Sequence, residues 1–293
     1  MISQIKLRLM KVGLAIGATF IPTSVMHYLW AKMFTIRKRS LKPPHQKLLK
    51  EAITSELTVS LFDQVSDKIV TYEWGQGEKT VLLLHGWESK AVDYYKFIPR
   101  LLAASYRVLS VDFPAHGRST GSQSSLPAFI LALKTYLAQT SGIDAIVAHS
   151  LGGTAALTCL LNEAKNDQSN SIQKLILMGS PFVPVHFFEG AFDFLGVHRR
   201  VRKRFYKKAE NKFGQSIHEF SLPKLASRQL HTQIFGLYDS SDKVVSIKEA
   251  KIYQQHNPEL QMHYFQGIGH HQLIKSEAIL ETCLDILDSK IPQ

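Results

Sequence analysis

The apolar positions of this chain fall into two kinds of pattern. Short unbroken apolar runs sit at 81–84, 145–148 and 175–178, and a fourth at 108–111 is interrupted only by Ser110. Unbroken runs of this length fit strands buried on both faces, as in a parallel sheet. Between them lie segments with helical spacing, at 94–104, 126–138 and 151–161. Further strands are predicted at 57–62, 69–74, 233–237 and 262–265, and further helices at 247–255 and 278–287. Repeated strand–helix units predict an α/β fold: a mostly parallel sheet with helices on both faces.

The first fifty residues break this pattern. Twenty residues between Lys11 and Lys32 hold no Asp, Glu, Lys or Arg, with His27 their one side chain that charges near neutral pH, and Met26, Leu29, Trp30 and Met33 share one helical stripe. Gly13, Gly17, Pro22, Thr19, Thr23 and Ser24 dilute the apolar character of the stretch. Three readings stand open. The segment is an amphipathic helix lying on a membrane or on the protein's own body, a single membrane span, or a cleaved leader. In the spanning case, the cations from Lys32 to Lys42 would hold the rest of the chain in the cytoplasm. The chain is therefore read as cytoplasmic, with attachment to the cytoplasmic face of a membrane left open.

Charge sharpens this division. The 293 residues carry a net +11, of which residues 1–50 hold +10 with no Asp or Glu, and residues 181–228 hold +6. The remainder is therefore mildly acidic, at −5. Two basic segments on an acidic body point to an anionic surface as partner, and an anionic membrane is the expected one. No zinc finger, helix-turn-helix or aromatic RNA-binding motif is present, so nucleic acid is not expected. Cys159 and Cys283 lack the spacing of a zinc site or a redox pair and read as buried apolar residues.

In a sheet of this class the working residues lie just beyond the carboxyl ends of the strands. Polar clusters follow three of the buried runs: His85-Gly86-Trp87, 112–119, and His149-Ser150-Leu151-Gly152-Gly153. In the last, Ala148, Gly152 and Gly153 surround Ser150 with small residues between a strand and a helix. That is the pattern of a nucleophile elbow, where a sharp turn lifts a serine hydroxyl out of the sheet and bulk nearby would clash. The alternative is a serine favoured simply as a helix N-cap.

The motifs together resemble the α/β-hydrolase superfamily, in the bacterial serine-hydrolase branch of serine aminopeptidases, monoacylglycerol lipases and esterases. They are His85-Gly86-Trp87, then Asp112-x-Pro-Ala-His116-Gly117-x-Ser119, then His149-Ser150-x-Gly152-Gly153. The likeness covers about residues 57–288 and implies an eight-stranded, mainly parallel sheet with a lid inserted after the sixth strand. The domain reading is a basic, apolar helical extension over 1–50 and a hydrolase domain over 51–293 with its lid at about 181–228.

The resemblance orders the catalytic groups as serine, acid, histidine. Two carboxylates follow the 233–237 strand. Asp242, before Val244-Val245, matches the family's acid, whereas Asp239 reads as an Asx-turn residue. His270, in Gly267-Ile268-Gly269-His270, is the expected base. The expected oxyanion hole is the backbone N–H of Trp87 and of Leu151. His85, His116 and His149 are implied to be structural hydrogen-bonding residues. No cofactor or metal is expected, because neither His-Glu-x-x-His nor a comparable ligand cluster occurs and Lys79-Thr80 lacks phosphate-loop spacing. The expected lid opens with Phe182, Phe187, Phe188, Phe192 and Phe194 and continues into a run of Arg and Lys. The expected activity is hydrolysis of an ester, with a lipid-like acyl ester favoured by that apolar and basic mix. A peptidase, a thioesterase, a cofactor-free acyltransferase and a non-catalytic binding protein are the alternatives.

Overall fold

A computed structural model of the chain describes residues 4–62, 66–165, 172–221 and 231–290. The element order is α1 (Gln4–Phe20), α2 (Pro22–Phe34), α3 (Pro43–Glu51), β1 (Ile53–Ser60), β2 (Ser66–Trp74), β3 (Lys79–Leu84), α4 (Phe97–Ala103), β4 (Tyr106–Asp112), α5 (Leu126–Gln139) and β5 (Ala145–His149). It continues through α6 (Leu151–Lys165), β6 (Lys174–Met178), α7 (Val185–Leu195), α8 (Arg199–Phe213), β7 (Gln233–Asp239), α9 (Ile247–His256), β8 (Gln261–Phe265) and α10 (Glu277–Asp288). Two compact units result: Met1–Thr35 with Val183–Leu222, and Ile36–Phe182 with Pro223–Gln293.

The larger unit is built on one eight-stranded sheet in the order β1-β2-β4-β3-β5-β6-β7-β8. β1 and β2, and β2 and β4, pair antiparallel; the pairs from β4 through β3, β5, β6 and β7 to β8 are all parallel. The four runs are the central strands β3, β4, β5 and β6; Val81, Leu82, Ile146, Val147, Leu175 and Ile176 are wholly buried, and the one polar interruption, Ser110 in β4, is buried with its Oγ donating to the Leu83 carbonyl. Such strands have helices on both faces, which is why their sequences do not alternate.

One predicted element shifts for a clear reason. The helix expected over 94–104 is a 3-10 turn at Ala91–Tyr94 followed by α4 from Phe97. Pro99 has no N–H to donate and is tolerated only in a first turn, so the helix begins just before it. α5 starts in the usual way, with Ser125 Oγ accepting the Ala128 N–H and Pro127 in the first turn.

The smaller unit joins the ends of two distant segments. Leu14 and Ala18 of α1, Met26, Leu29, Trp30 and Phe34 of α2, and Phe192, Val201, Phe205 and Ala209 of the α7–α8 region form one apolar core. Trp30 lies 4.4 Å from Phe34 and 5.3 Å from Phe205, centroid to centroid, and Lys208 Nζ sits 5.2 Å over the Trp30 ring. Gly17 lets α1 and α2 close: a Cβ there would come within 2.7 Å of Val25 Cγ2.

Three expectations are corrected here. No described helix is long and apolar enough to cross a membrane. The 12–31 stretch is cut in two after Ile21, where Pro22 opens α2 in the position proline prefers. The Met26–Leu29–Trp30 stripe faces protein, so the reading in which this segment docks on the chain itself describes α2. The 1–50 extension is divided: residues 1–35 fall in the smaller unit, and α3 falls in the larger one, with Leu48 in its core.

The expected lid also changes. Part of it, 222–228, lies outside the described residues. Phe182 belongs to the larger unit and stacks on Tyr253 at 3.6 Å. Phe192 is buried, Phe188 packs against the small core, and Phe187 and Phe194 stay exposed. Arg202 is not a free surface cation, because it binds Glu189, Asp193 and the Val197 carbonyl.

Candidate active site

Ser150 lies between the end of β5 and the start of α6, held in a left-handed conformation with φ +52°. A non-glycine residue there is strained and persists only when its surroundings enforce it. The Ser150 N–H donates to the Met178 carbonyl at 2.9 Å, which ties the turn to β6. The small residues around it are required sterically. A Cβ on Gly152 would fall 2.4 Å from the His85 carbonyl oxygen, and one on Gly153 would fall 2.0 Å from Ser180 Oγ. Ala148 is fully buried in β5.

His270 follows β8 and begins a 3-10 turn (His270–Lys275). Its Nε2 lies 3.0 Å from Ser150 Oγ, and its Nδ1 lies 2.7 Å from Asp242 Oδ2. The other Asp242 oxygen, Oδ1, accepts the N–H groups of Val244 and Val245 at 2.7 and 2.9 Å. Burial works to raise the Asp242 pKa, but His270 and those two N–H donors outweigh it and hold the carboxyl below its ordinary range. An ionised Asp242 places the neutral imidazole's proton on Nδ1 and leaves Nε2 free to accept from Ser150.

Asp239 is differently engaged. Its Oδ1 accepts from Ser241 N and Gly269 N, and its Oδ2 accepts from Ile268 N. It is an Asx-turn residue that also secures the loop delivering His270. His271 is exposed, with its ring 5.3 Å from that of His270.

The loop after β3 passes directly beside Ser150. A Cβ on Gly86 would lie 2.8 Å from Ser150 Cβ, so glycine is required for the approach. Among the described residues, the backbone N–H groups of Trp87 and Leu151 have no partner. One belongs to the residue after Gly86 in this loop, and the other to the first residue of α6, directly after Ser150.

The three structural histidines have distinct bonds. His85 Nδ1 donates to the Gly86 carbonyl at 2.7 Å, and its Nε2 accepts from Phe113 N at 3.0 Å. His116 Nδ1 donates to the Pro114 carbonyl at 2.9 Å. His149 Nε2 donates to the His270 carbonyl at 3.0 Å and so braces the backbone of the candidate base. Burial pushes the pKa of both His116 and His149 down to about 3, which keeps them neutral. Asp112 accepts from Ala91 N, Tyr72 Oη and Arg118 N and organises the 112–120 loop.

Sequence reasoning left out two supports of this arrangement. One is the His149–His270 brace. The other is Gly179, at φ +56° just after β6, where a Cβ would lie 3.3 Å from both Asp242 Oδ2 and His270 Nδ1. Its signal was a glycine ending the third of three adjacent buried runs.

The profile of the alpha/beta hydrolase family matches residues 81–243, more than half of the chain. The chain belongs to that family. It is similar to a 2-hydroxy-6-oxononadienedioate/2-hydroxy-6-oxononatrienedioate hydrolase of Paraburkholderia phymatum, 32% identical over 179 residues. That match covers 56% of this chain and 59% of the relative, so the chain spans less than two thirds of the curated relatives it matches. A hydrolase of the same description from Burkholderia vietnamiensis is 31% identical over 151 residues, covering 46% of this chain and 50% of the relative. Among solved structures, a putative hydrolase of Agrobacterium vitis shares the fold with a TM-score of 0.62 at 14% identity, over 80% of this chain and 97% of that one. An esterase of Pyrococcus furiosus shares it with a TM-score of 0.57 at 19% identity, over 86% of this chain and 94% of that one.

Proposed function

We propose that this member of the family is a serine hydrolase that cleaves a carboxylic ester, with Ser150 as nucleophile, His270 as base and Asp242 as orienting acid. The observation that carries the reading is the continuous line Asp242 Oδ2–His270 Nδ1, 2.7 Å, and His270 Nε2–Ser150 Oγ, 3.0 Å, at a strained strand–helix turn. In this reading Ser150 Oγ attacks the ester carbonyl carbon while Nε2 takes its proton. The developing oxyanion is received by the unpaired N–H groups of Trp87 and Leu151. The carbon–oxygen bond to the leaving alcohol then breaks, and the alcohol takes the proton from Nε2. A water molecule, deprotonated by the same imidazole, hydrolyses the acyl-enzyme and restores Ser150.

A second reading is favoured by the relatives' descriptions: a substrate resembling 2-hydroxy-6-oxononadienedioate, a dianion. One panel tests both. The protein is offered p-nitrophenyl esters of graded acyl length and that oxo-dienedioate, with water as the sole acceptor, and is labelled with a fluorophosphonate. Ester turnover with label on Ser150 supports the first reading. Turnover of the dioate alone supports the second, and absence of both label and turnover overturns the serine mechanism.

A further inference from the structure

α1 is apolar on two sides. Its inner side supplies Leu14 and Ala18 to the core of the smaller unit. Its outer side carries Ile5, Leu9, Val12, Ile16 and Phe20, spaced i, i+4, i+7, i+11 and i+15, which keeps them on one stripe. They are 71, 67, 56, 57 and 78% exposed. A surface helix normally hides one apolar stripe and gives water a polar one. Here the side turned outward is the more apolar, along a helix about 25 Å long.

Charge identifies what the stripe meets. Lys6 and Arg8 flank its first half, and no carboxylate occurs anywhere in residues 1–50. A second copy of this face would bring like charges together. The stripe is moreover a ridge on a single helix, and a soft planar surface accepts a ridge over its whole length. We propose that the outer face of α1 is a docking surface for an anionic phospholipid bilayer. The helix lies in the plane of the headgroups, with its aliphatic stripe sunk below them and its cations at their level. The stripe first singled out in the sequence, Met26–Leu29–Trp30, serves the internal core, and α1 is the element that faces the lipid.

The test uses the full chain and vesicles of phosphatidylcholine with or without about one-fifth phosphatidylserine. Co-sedimentation should be strong on the anionic vesicles, weak on the neutral ones, and reduced in 0.5 M salt. Leu9→Glu combined with Ile16→Glu should weaken binding to anionic vesicles at least about tenfold. Lys6→Gln with Arg8→Gln should weaken it less and flatten the salt dependence. Circular dichroism and melting temperature on each variant check that the fold is kept. The proposal is overturned by an absence of anionic-vesicle binding, or by binding that the Glu pair leaves intact. It is equally overturned by sedimentation equilibrium showing a dimer that the Glu pair dissociates while vesicles are ignored. None of these readouts depends on hydrolysis, so failure of the serine mechanism and failure of the docking surface remain separable.

Discussion

Asp242→Asn isolates the role of one oxygen atom. Asparagine retains the oxygen that accepts from Val244 and Val245, because those two donors fix the orientation of the side chain. Its amide nitrogen then occupies the position of Oδ2, 2.7 Å from His270 Nδ1. An amide presents hydrogens there, so Nδ1 must accept and the imidazole proton moves to Nε2. The atom 3.0 Å from Ser150 Oγ then carries a hydrogen and cannot take the serine's proton. The same tautomer error in the trypsin triad costs roughly 10⁴-fold, or about 5 kcal/mol of barrier.

Asp239→Asn is the paired control. It leaves at least one of the Ser241, Gly269 and Ile268 N–H groups facing an amide hydrogen, a loss of about 1–3 kcal/mol in loop stability. The imidazole tautomer is untouched, and turnover should fall by no more than about tenfold. The assay is turnover of a short p-nitrophenyl ester beside the rate of fluorophosphonate labelling, with near-UV circular dichroism to confirm a native fold. Equal losses in the two variants would mean that the loop, and not the tautomer, had been damaged. A more harmful Asp239→Asn would refute the assignment of the acid.

Four further outcomes follow from the same geometry. Ser150→Ala should abolish labelling and lower turnover by roughly 10⁶-fold, the scale seen when a subtilisin triad loses its serine. Gly86→Ala should cut turnover sharply, because its Cβ would press against Ser150 Cβ at 2.8 Å; full activity would place the oxyanion loop elsewhere. His116 and His149 have folded pKa values of about 3, below the ordinary 6.5, so protons favour the unfolded chain. Stability should therefore fall as pH drops below 6.5, by about 4 kcal/mol for the pair at pH 5, as read from urea midpoints. Trp30→Ala and Phe205→Ala should each cost about 3–5 kcal/mol in thermal unfolding of the full chain, and the double variant should reveal a coupling of about 1 kcal/mol; neutral single variants would remove Trp30 from the core.

The parts legible in the sequence share a physical trait: their signals are local. The runs at β3, β5 and β6 read as buried strands because each is flanked on both faces by helices that demand apolar side chains. Ser150 announces itself through glycines that a close approach requires, and His270 through Gly267 and Gly269, whose left-handed φ values of +84° and +74° shape the turn before it. Asp242 was separated from Asp239 by its likeness to the family's acid before Val244-Val245, the two residues whose N–H groups its Oδ1 accepts. His149 was placed only as a generic structural residue, because its partner is 121 residues away. Phe182 was grouped with the phenylalanines after it, but its stacking partner Tyr253 lies across a long stretch of chain.

The N-terminal segment shows why apolarity alone cannot decide a destination. Its mean composition fits a surface helix, a span or a docked hairpin equally well, because each removes similar side chains from water. Two residues break the tie. Pro22 forbids a continuous helix through the stretch, and Gly17 allows the two resulting helices to touch. Both had seemed to weaken a membrane segment; together they specify a hairpin. The hairpin then needs a partner for α2's aromatic side, and α8 supplies one with Phe205 and Val201. That accounts for one side of the hairpin only. The other side, the α1 stripe from Ile5 to Phe20, would be an aggregation liability on a protein with nothing to lay it against. A membrane surface removes the liability without any second protein, and the flanking cations select the anionic face.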